Sequence, residues 1–128
     1  MAQARLQLGV IGQIAVPVTN LERAVTFYRD TLGIKYLFQV PNLAFFDCAG
    51  VRLMLDIPQD GSGAQGSSVI YFKVDDINGA YETLSSLGAR FEGKPNLIAK
   101  MPDHELWMAF FRDPDKNLLA LMSEVRPG

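Results

Sequence analysis

The chain reads as an α+β domain made of two tandem βαβββ modules. Three observations predict this. Residues 13–36 and 69–91 read as copies of each other: Val18 falls on Val74, Asn20 on Asp76, Leu21 on Ile77, Ala24 on Ala80 and, after one deletion, Gly33 on Gly88. Apolar periodicity then switches between strand and helix spacing in the same order in both halves. The one linker-like segment, the polar glycine-rich run 58–68, falls between the copies. An internal repeat constrains a fold more than a single motif does. One unit is too small to bury both its helix face and its other sheet face. Two units side by side would make a curved mixed sheet of about eight strands, with helices outside and a concave inner pocket. Module one spans about 8–57 and module two about 69–124, within a single domain over 1–128.

The elements follow in order. Residues 8–18 read as a strand, with Ile14, Val16 and Val18 on one face and Ile11, Gln13 and Ala15 on the other. Thr19 and Glu22 form a capping box for a helix. Leu21, Ala24, Val25, Tyr28 and Leu32 line one side of that helix, and Gly33 stops it. Strands are expected at 34–40, 43–48 and 51–57, turning at Pro41-Asn42 and Ala49-Gly50. Module two repeats the plan. Strand 69–74 runs into Asp75 as N-cap, and a helix carrying Ile77, Ala80, Tyr81, Leu84 and Leu87 stops at Gly88. A short strand at 90–93, a loop over 94–104 and strands at 105–112 and 117–124 follow. The last two are joined by the turn Asp113-Pro114-Asp115-Lys116-Asn117.

Composition bounds the function. Of 128 residues, 48% are hydrophobic and 20% charged, and the net charge is −2, with no basic patch; this argues against a nucleic-acid partner. No apolar run reaches the roughly 18 residues that span a bilayer, so no membrane association is expected. MAQARLQLG lacks the apolar core of a signal peptide. One cysteine, Cys48, cannot form an intrachain disulfide. The expected location is therefore cytoplasmic. Without a basic partner, Cys48 reads as a small apolar residue rather than a nucleophile.

Gln13–Val18, Leu21-Glu22-Arg23-Ala24 with Phe27-Tyr28 and Leu32-Gly33, then Val74-Asp75-Asp76 and the closing Phe111–Asn117 segment together resemble the vicinal oxygen chelate superfamily. That superfamily includes glyoxalases, bleomycin-binding proteins and extradiol dioxygenases. The likeness covers roughly residues 8–124. One departure is Lys116, where many relatives have glycine. The resemblance implies a homodimer, whose inner faces often meet between chains.

The resemblance also implies where a divalent ion would sit. Metal-dependent members take one ligand from the first and one from the last strand of each unit, usually His, Gln or Glu. Such ligands suit Zn, Ni, Mn, Co or Fe(II). The matching positions here are Gln13, Met54, Val69 and Ala120. Only Gln13 offers an oxygen ligand. No metal site and no cofactor are therefore expected. A non-standard site from Gln13, His104 and a carboxylate is the alternative.

By strand alternation the inner face carries Ile11, Gln13, Ala15, Arg52, Met54, Val69, Tyr71, Leu118, Ala120 and Met122. Met54, Val69, Ala120 and Met122 read first as packed core, and the face as a whole reads alternatively as a ligand-binding surface. Gln13 either satisfies the backbone or reaches a ligand. Arg52 either clamps a carboxylate or phosphate or pairs on the surface. The segment 101–108 concentrates other chemistry. His104, Glu105 and Tyr71 are candidate acid–base residues, and Trp107, on one strand face with Glu105, is either core or a pocket wall. The facing of Asp47, His104 and Glu105 is open. Two functions compete. One is a binder of a small organic molecule in an apolar pocket, without the usual metal. The other is a lyase, isomerase or epimerase acting on a small carbonyl or thioester substrate. The second would need Arg52, Tyr71 or Gln13 to replace the cation that stabilises an oxyanion.

Overall fold

The computed structural model describes residues 6, 8–59 and 68–127. Most of the linker expected over 58–68 lies outside them. The chain is α+β, with the two modules in the expected order.

Module one comprises β1 (Gln13–Pro17), α1 (Leu21–Thr26), β2 (Lys35–Val40), β3 (Leu43–Cys48) and β4 (Val51–Asp56). Its strands lie in the order β1-β4-β3-β2, with β1 parallel to β4 and the other pairs antiparallel. Module two comprises β5 (Ile70–Lys73), α2 (Ile77–Ser86), β6 (Arg90–Phe91), β7 (Asn96–Lys100), β8 (Glu105–Arg112) and β9 (Leu118–Val125). Its order is β5-β9-β8, and both β6 and β7 pair with the free edge of β8. The strands thus form a four-stranded and a five-stranded sheet rather than one continuous sheet.

The registers of the two sheets superpose. Ala15, Met54 and Phe45 are cross-strand neighbours in module one. Tyr71, Ala120 and Phe110 are the same rung in module two. This confirms by hydrogen bonding the equivalence of Met54 with Ala120 that the repeat predicts.

Several boundaries differ from expectation. The first strand starts at Gln13, not residue 8, because β4 offers it partners only from Arg52 onward. The expected 94–104 loop contains β7, which pairs with β8 through an irregularity between Leu97 and Ala99. Both helix caps lie one residue later than predicted. Asn20 accepts from the Arg23 N–H (3.0 Å), and Asp76 accepts from the Gly79 N–H (3.0 Å). Thr19-Asn20 and Asp75-Asp76 are adjacent capping types, and the side chain of Thr19 is committed elsewhere. Gly79 belongs to this cap: a Cβ there would lie 2.4 Å from Asp76 Oδ2. Beyond Thr26, α1 continues as a π-helical turn, Phe27–Thr31, and Gly33 ends it at φ +72°.

The helix-bearing faces of both sheets share one core. It joins Val16, Tyr28, Phe46 and Leu55 of module one to Ala109, Phe111, Leu119 and Leu121 of module two. The seam is polar and centres on the β8–β9 turn. Asp113, 4% exposed, accepts at Oδ1 from the Asp115 and Asn117 N–H groups (2.9 and 2.8 Å). Its Oδ2 accepts from the Tyr28 hydroxyl and Asn117 Nδ2, both at 2.8 Å. Asn117 Nδ2 also donates to the Pro17 carbonyl (2.8 Å). Asp115 Oδ1 accepts from the Thr19 N–H (2.9 Å), the Thr19 hydroxyl and Arg23 Nη2 (3.1 Å). Burial, reinforced by the charge and hydrogen bond of Asp113, drives the Tyr28 phenol far above its ordinary pKa, so it stays a donor. Among the described residues, no helix is long and apolar enough to cross a membrane.

Two stability measurements test this seam. Tyr28→Phe removes a hydrogen bond to a buried carboxylate and should cost about 1.5–3 kcal/mol in urea unfolding. An unchanged midpoint would show that Asp113 does not depend on the phenol. Lys116 sits at φ +69°, a conformation costing an L-residue roughly 1–2 kcal/mol, against about 0.5–1 kcal/mol of extra chain entropy for glycine. Lys116→Gly should therefore stabilise the protein by up to about 1 kcal/mol. A lower melting temperature would contradict this.

Candidate functional site

The faces opposite the helices are bare in a single chain. On module one, Gln13 and Arg52 are exposed, while Phe45, Met54 and Asp47 are half-buried beside them. Gln13 Nε2 donates to Met54 Sδ at 3.7 Å, a weak bond to a soft acceptor. Phe38 stacks on Phe45 (centroids 4.8 Å, 27°), and the Arg52 guanidinium lies 5.8 Å from the Phe45 ring. Arg52 has no ion-pair partner among the described residues. Asp47 accepts from the Gly50 N–H (2.9 Å) and so helps to close its own hairpin.

On module two, Tyr71 is 45% exposed and meets Phe110 edge to face at 6.0 Å. Ala120, on the same rung, has no exposed surface. The two rings are the larger side chains flanking it. Met122 is half-buried opposite Met108. Val69 lies just before β5 and is half-buried.

Within the segment 101–108, Met108 faces Met122 on this surface, but His104, Glu105 and Trp107 lie apart from it. Phe110 is the β8 residue opposite Ala120, so Glu105 is roughly 17 Å away along the strand at about 3.3 Å per residue. Trp107 alternates onto the helix side, packs against the core and donates through Nε1 to Glu105 Oε1 (3.2 Å). Of the two readings of Trp107, core or pocket wall, this gives core, because the odd residues of β8 (Trp107, Ala109, Phe111) supply it. His104 Nδ1 bonds to Asp103 Oδ1 (2.8 Å), beside a shallow cleft of about 330 Å³ that also includes Arg126. The structure thus brings Gln13 and Met54 together, and Tyr71 and Ala120 together. It does not bring His104, Glu105 or Trp107 to them.

The donor set does not suit a borderline divalent ion. Of Gln13, Met54, Val69 and Ala120, only Gln13 carries an oxygen ligand, and its neighbour is a thioether. Among the described residues, no three His, Cys, Asp or Glu side chains are grouped to hold a metal. Burial raises the Cys48 thiol, and the Asp47 charge adds to it, which disfavours the thiolate.

The family model for the glyoxalase/bleomycin resistance protein/dioxygenase superfamily matches residues 10–121. The chain belongs to this superfamily. An uncharacterised Bacillus subtilis (strain 168) protein, YraH, is 30% identical over 126 residues, covering 85% of this chain and 94% of its own length. A Didymella fabae glyoxylase-like domain-containing protein is 28% identical, covering 94% and 96%. Among solved structures, a superfamily member from Sphaerobacter thermophilus superposes with TM-score 0.76 at 26% identity, covering 93% of this chain and all of the other. A lactoylglutathione lyase from Agrobacterium tumefaciens superposes with TM-score 0.77 at 24% identity, covering 91% and 95%; at that identity it shares the fold.

The Asp103 cluster gives a titration test. Hydrogen bonding to Arg126 first, and to His104 second, lowers the Asp103 pKa to about 2. A carboxylate lowered in the folded state stabilises it above the unfolded value near 4, and that contribution fades as pH falls through about 2. In Arg126→Ala, an NMR titration should find the Asp103 pKa moved back up toward its ordinary value. An unmoved pKa would remove Arg126 as the cause.

Proposed function

We propose that this superfamily member binds a small organic molecule against its bare, aromatic sheet faces, without the superfamily's usual metal. The carrying observation is the content of the four ligand positions: one amide, one thioether and two side chains that cannot ligate. What surrounds them suits an apolar ligand with a few polar anchors. Phe45 with Phe38, and Phe110 with Tyr71, supply aromatic surface. Gln13, Arg52 and the Tyr71 hydroxyl supply directional contacts.

Both faces are open in one chain, so a complete pocket needs a cover. A second copy supplies one if module one of each chain lies over module two of the other. The protein in this reading is a homodimer of the cytoplasm. The rival reading, a lyase, isomerase or epimerase, would draw on Tyr71 alone among the three acid–base candidates, since His104 and Glu105 lie elsewhere on the molecule.

Protein purified without chelators should contain far less than one equivalent of Zn, Ni, Mn or Fe by elemental analysis. A stoichiometric metal would overturn the metal-free reading. A thermal-shift screen of small apolar compounds should find stabilising ligands, and Gln13→Leu or Tyr71→Phe should weaken a hit by about 10-fold. Hits unaffected by either change would place the ligand elsewhere. Sedimentation at micromolar concentration should give a dimer, and a monomer would rule out a shared pocket.

A further inference from the structure

The internal repeat exposes a rung where the two modules differ in charge. In module one, Lys35 of β2 faces Asp47 of β3. The equivalent pair in module two is Arg90 of β6 facing Arg112 of β8. Opposite charges across a ladder stabilise a sheet, and like charges directly opposite destabilise it. Only Arg112 is compensated: its Nε pairs with Glu92, and Nη1 donates to the Lys116 carbonyl (3.0 Å). Arg90 has no ion-pair partner among the described residues.

A second local conflict lies beside the first. Lys116 holds a left-handed backbone, φ +69°, that glycine would adopt without strain. Arg90, Arg112 and Lys116 line one open cavity of about 700 Å³ at the junction of the modules. Its apolar wall includes Phe27, from the π-helical turn of module one, with Phe91 and Pro114 of module two. The carboxylates there are already committed. Glu92 holds Arg112, and Asp113 accepts four internal hydrogen bonds. Two departures from local stability thus put unneutralised cations into the same cavity, in a chain whose net charge is −2. Local conflicts that converge in this way mark functional sites.

We infer that this junction cleft is a second ligand site, separate from the bare sheet faces, and that it takes a small organic anion: a carboxylate or phosphate on an aromatic body. The Arg112 guanidinium is held in place by two bonds, so little orientation is lost when an anion joins it. Arg90 and Lys116 complete the charge, and Phe27 and Phe91 face the ring. Volumes of 300–1,000 Å³ are usual for such ligands.

The test titrates ¹⁵N-labelled protein with benzoate, phenyl phosphate, inorganic phosphate and neutral benzyl alcohol, following amide shifts. The two aromatic anions should saturate shifts at Phe27, Gly88 and Phe91, and benzyl alcohol should not. Arg90→Gln should weaken both by about 10-fold or more, as loss of a charge-assisted contact predicts. Lys116→Gly, which should fold more stably, should also bind them more weakly. That opposite movement of stability and affinity is something a structural role would not produce. Equal binding of benzyl alcohol, affinity unchanged in both variants, or no saturable shift overturns the inference. Inorganic phosphate binding as tightly as phenyl phosphate would mean an adventitious ion only, and would overturn it too.

Discussion

The Asp113 carboxylate is buried at the tip of the last hairpin, and no cation pairs with it among the described residues. A buried charge is tolerable only when its oxygens are filled with donors. Here Asp115 and Asn117 amides fill one oxygen, while Tyr28 and the Asn117 side chain fill the other. Tyr28 belongs to the helix of the opposite module. The charge is therefore satisfied only when the two modules meet in one orientation. Asp115 repeats the device at Thr19 and Arg23, and Asn117 at Pro17. Asp115 Oδ2 is buried without a protein partner, so this second carboxylate costs some solvation while fixing the geometry. The consequence reaches the rest of the molecule. With the helix-bearing faces clamped together over one core, the other two faces point to solvent.

The repeat gives that arrangement an internal reference. Several positions where both modules carry the same type of residue serve the common fold: Asn20 and Asp76 cap, and Gly33 and Gly88 turn the chain at positive φ. Where the modules differ, the position serves this chain in particular. Arg23 of module one reaches Asp115, and its counterpart is Gly79, where any Cβ would crowd the cap. Lys35 facing Asp47 is electrostatically settled, and Arg90 facing Arg112 is not.

Alternation and helical spacing made most of this fold legible in the sequence, because each strand buries one face and each helix one stripe. Parity alone puts Gln13, Met54, Tyr71 and Ala120 on their faces. The failures have physical causes. Neither Thr19-Asn20 nor Asp75-Asp76 reveals locally which residue caps. Asp115, about a hundred residues away in sequence, recruits Thr19 and leaves Asn20 to the helix. The β7 segment is an edge strand with an irregular register following Pro95, so it lacks the clean alternation of a half-buried strand. Trp107 reads from the sequence as core or pocket wall, and only its packing beside Ala109 and Phe111 decides for the core. The division of the strands into two sheets depends on which edges pair, and no local pattern encodes that.

The location of the instability also carries information. On the bare faces, side chains are at ease: Phe38 and Phe45 stack, Tyr71 and Phe110 meet edge to face, and Ala120 sits at their feet. Nothing there is strained, which suits a surface whose partner supplies mainly apolar area. Left-handed non-glycine residues stand at three turns, Asn42, Ala49 and Lys116, and of these Lys116 shares its cavity with two arginines that oppose each other. Yet the Lys116 turn carries the Asp113 clamp. A chain under selection for stability alone would place its cleanest electrostatics there. Arg112 explains how both demands are met. Through Glu92 on one side and the Lys116 carbonyl on the other, it ties the charged rung to the strained turn. An anion that engages Arg112 would therefore act directly on the hairpin whose carboxylates hold the modules together.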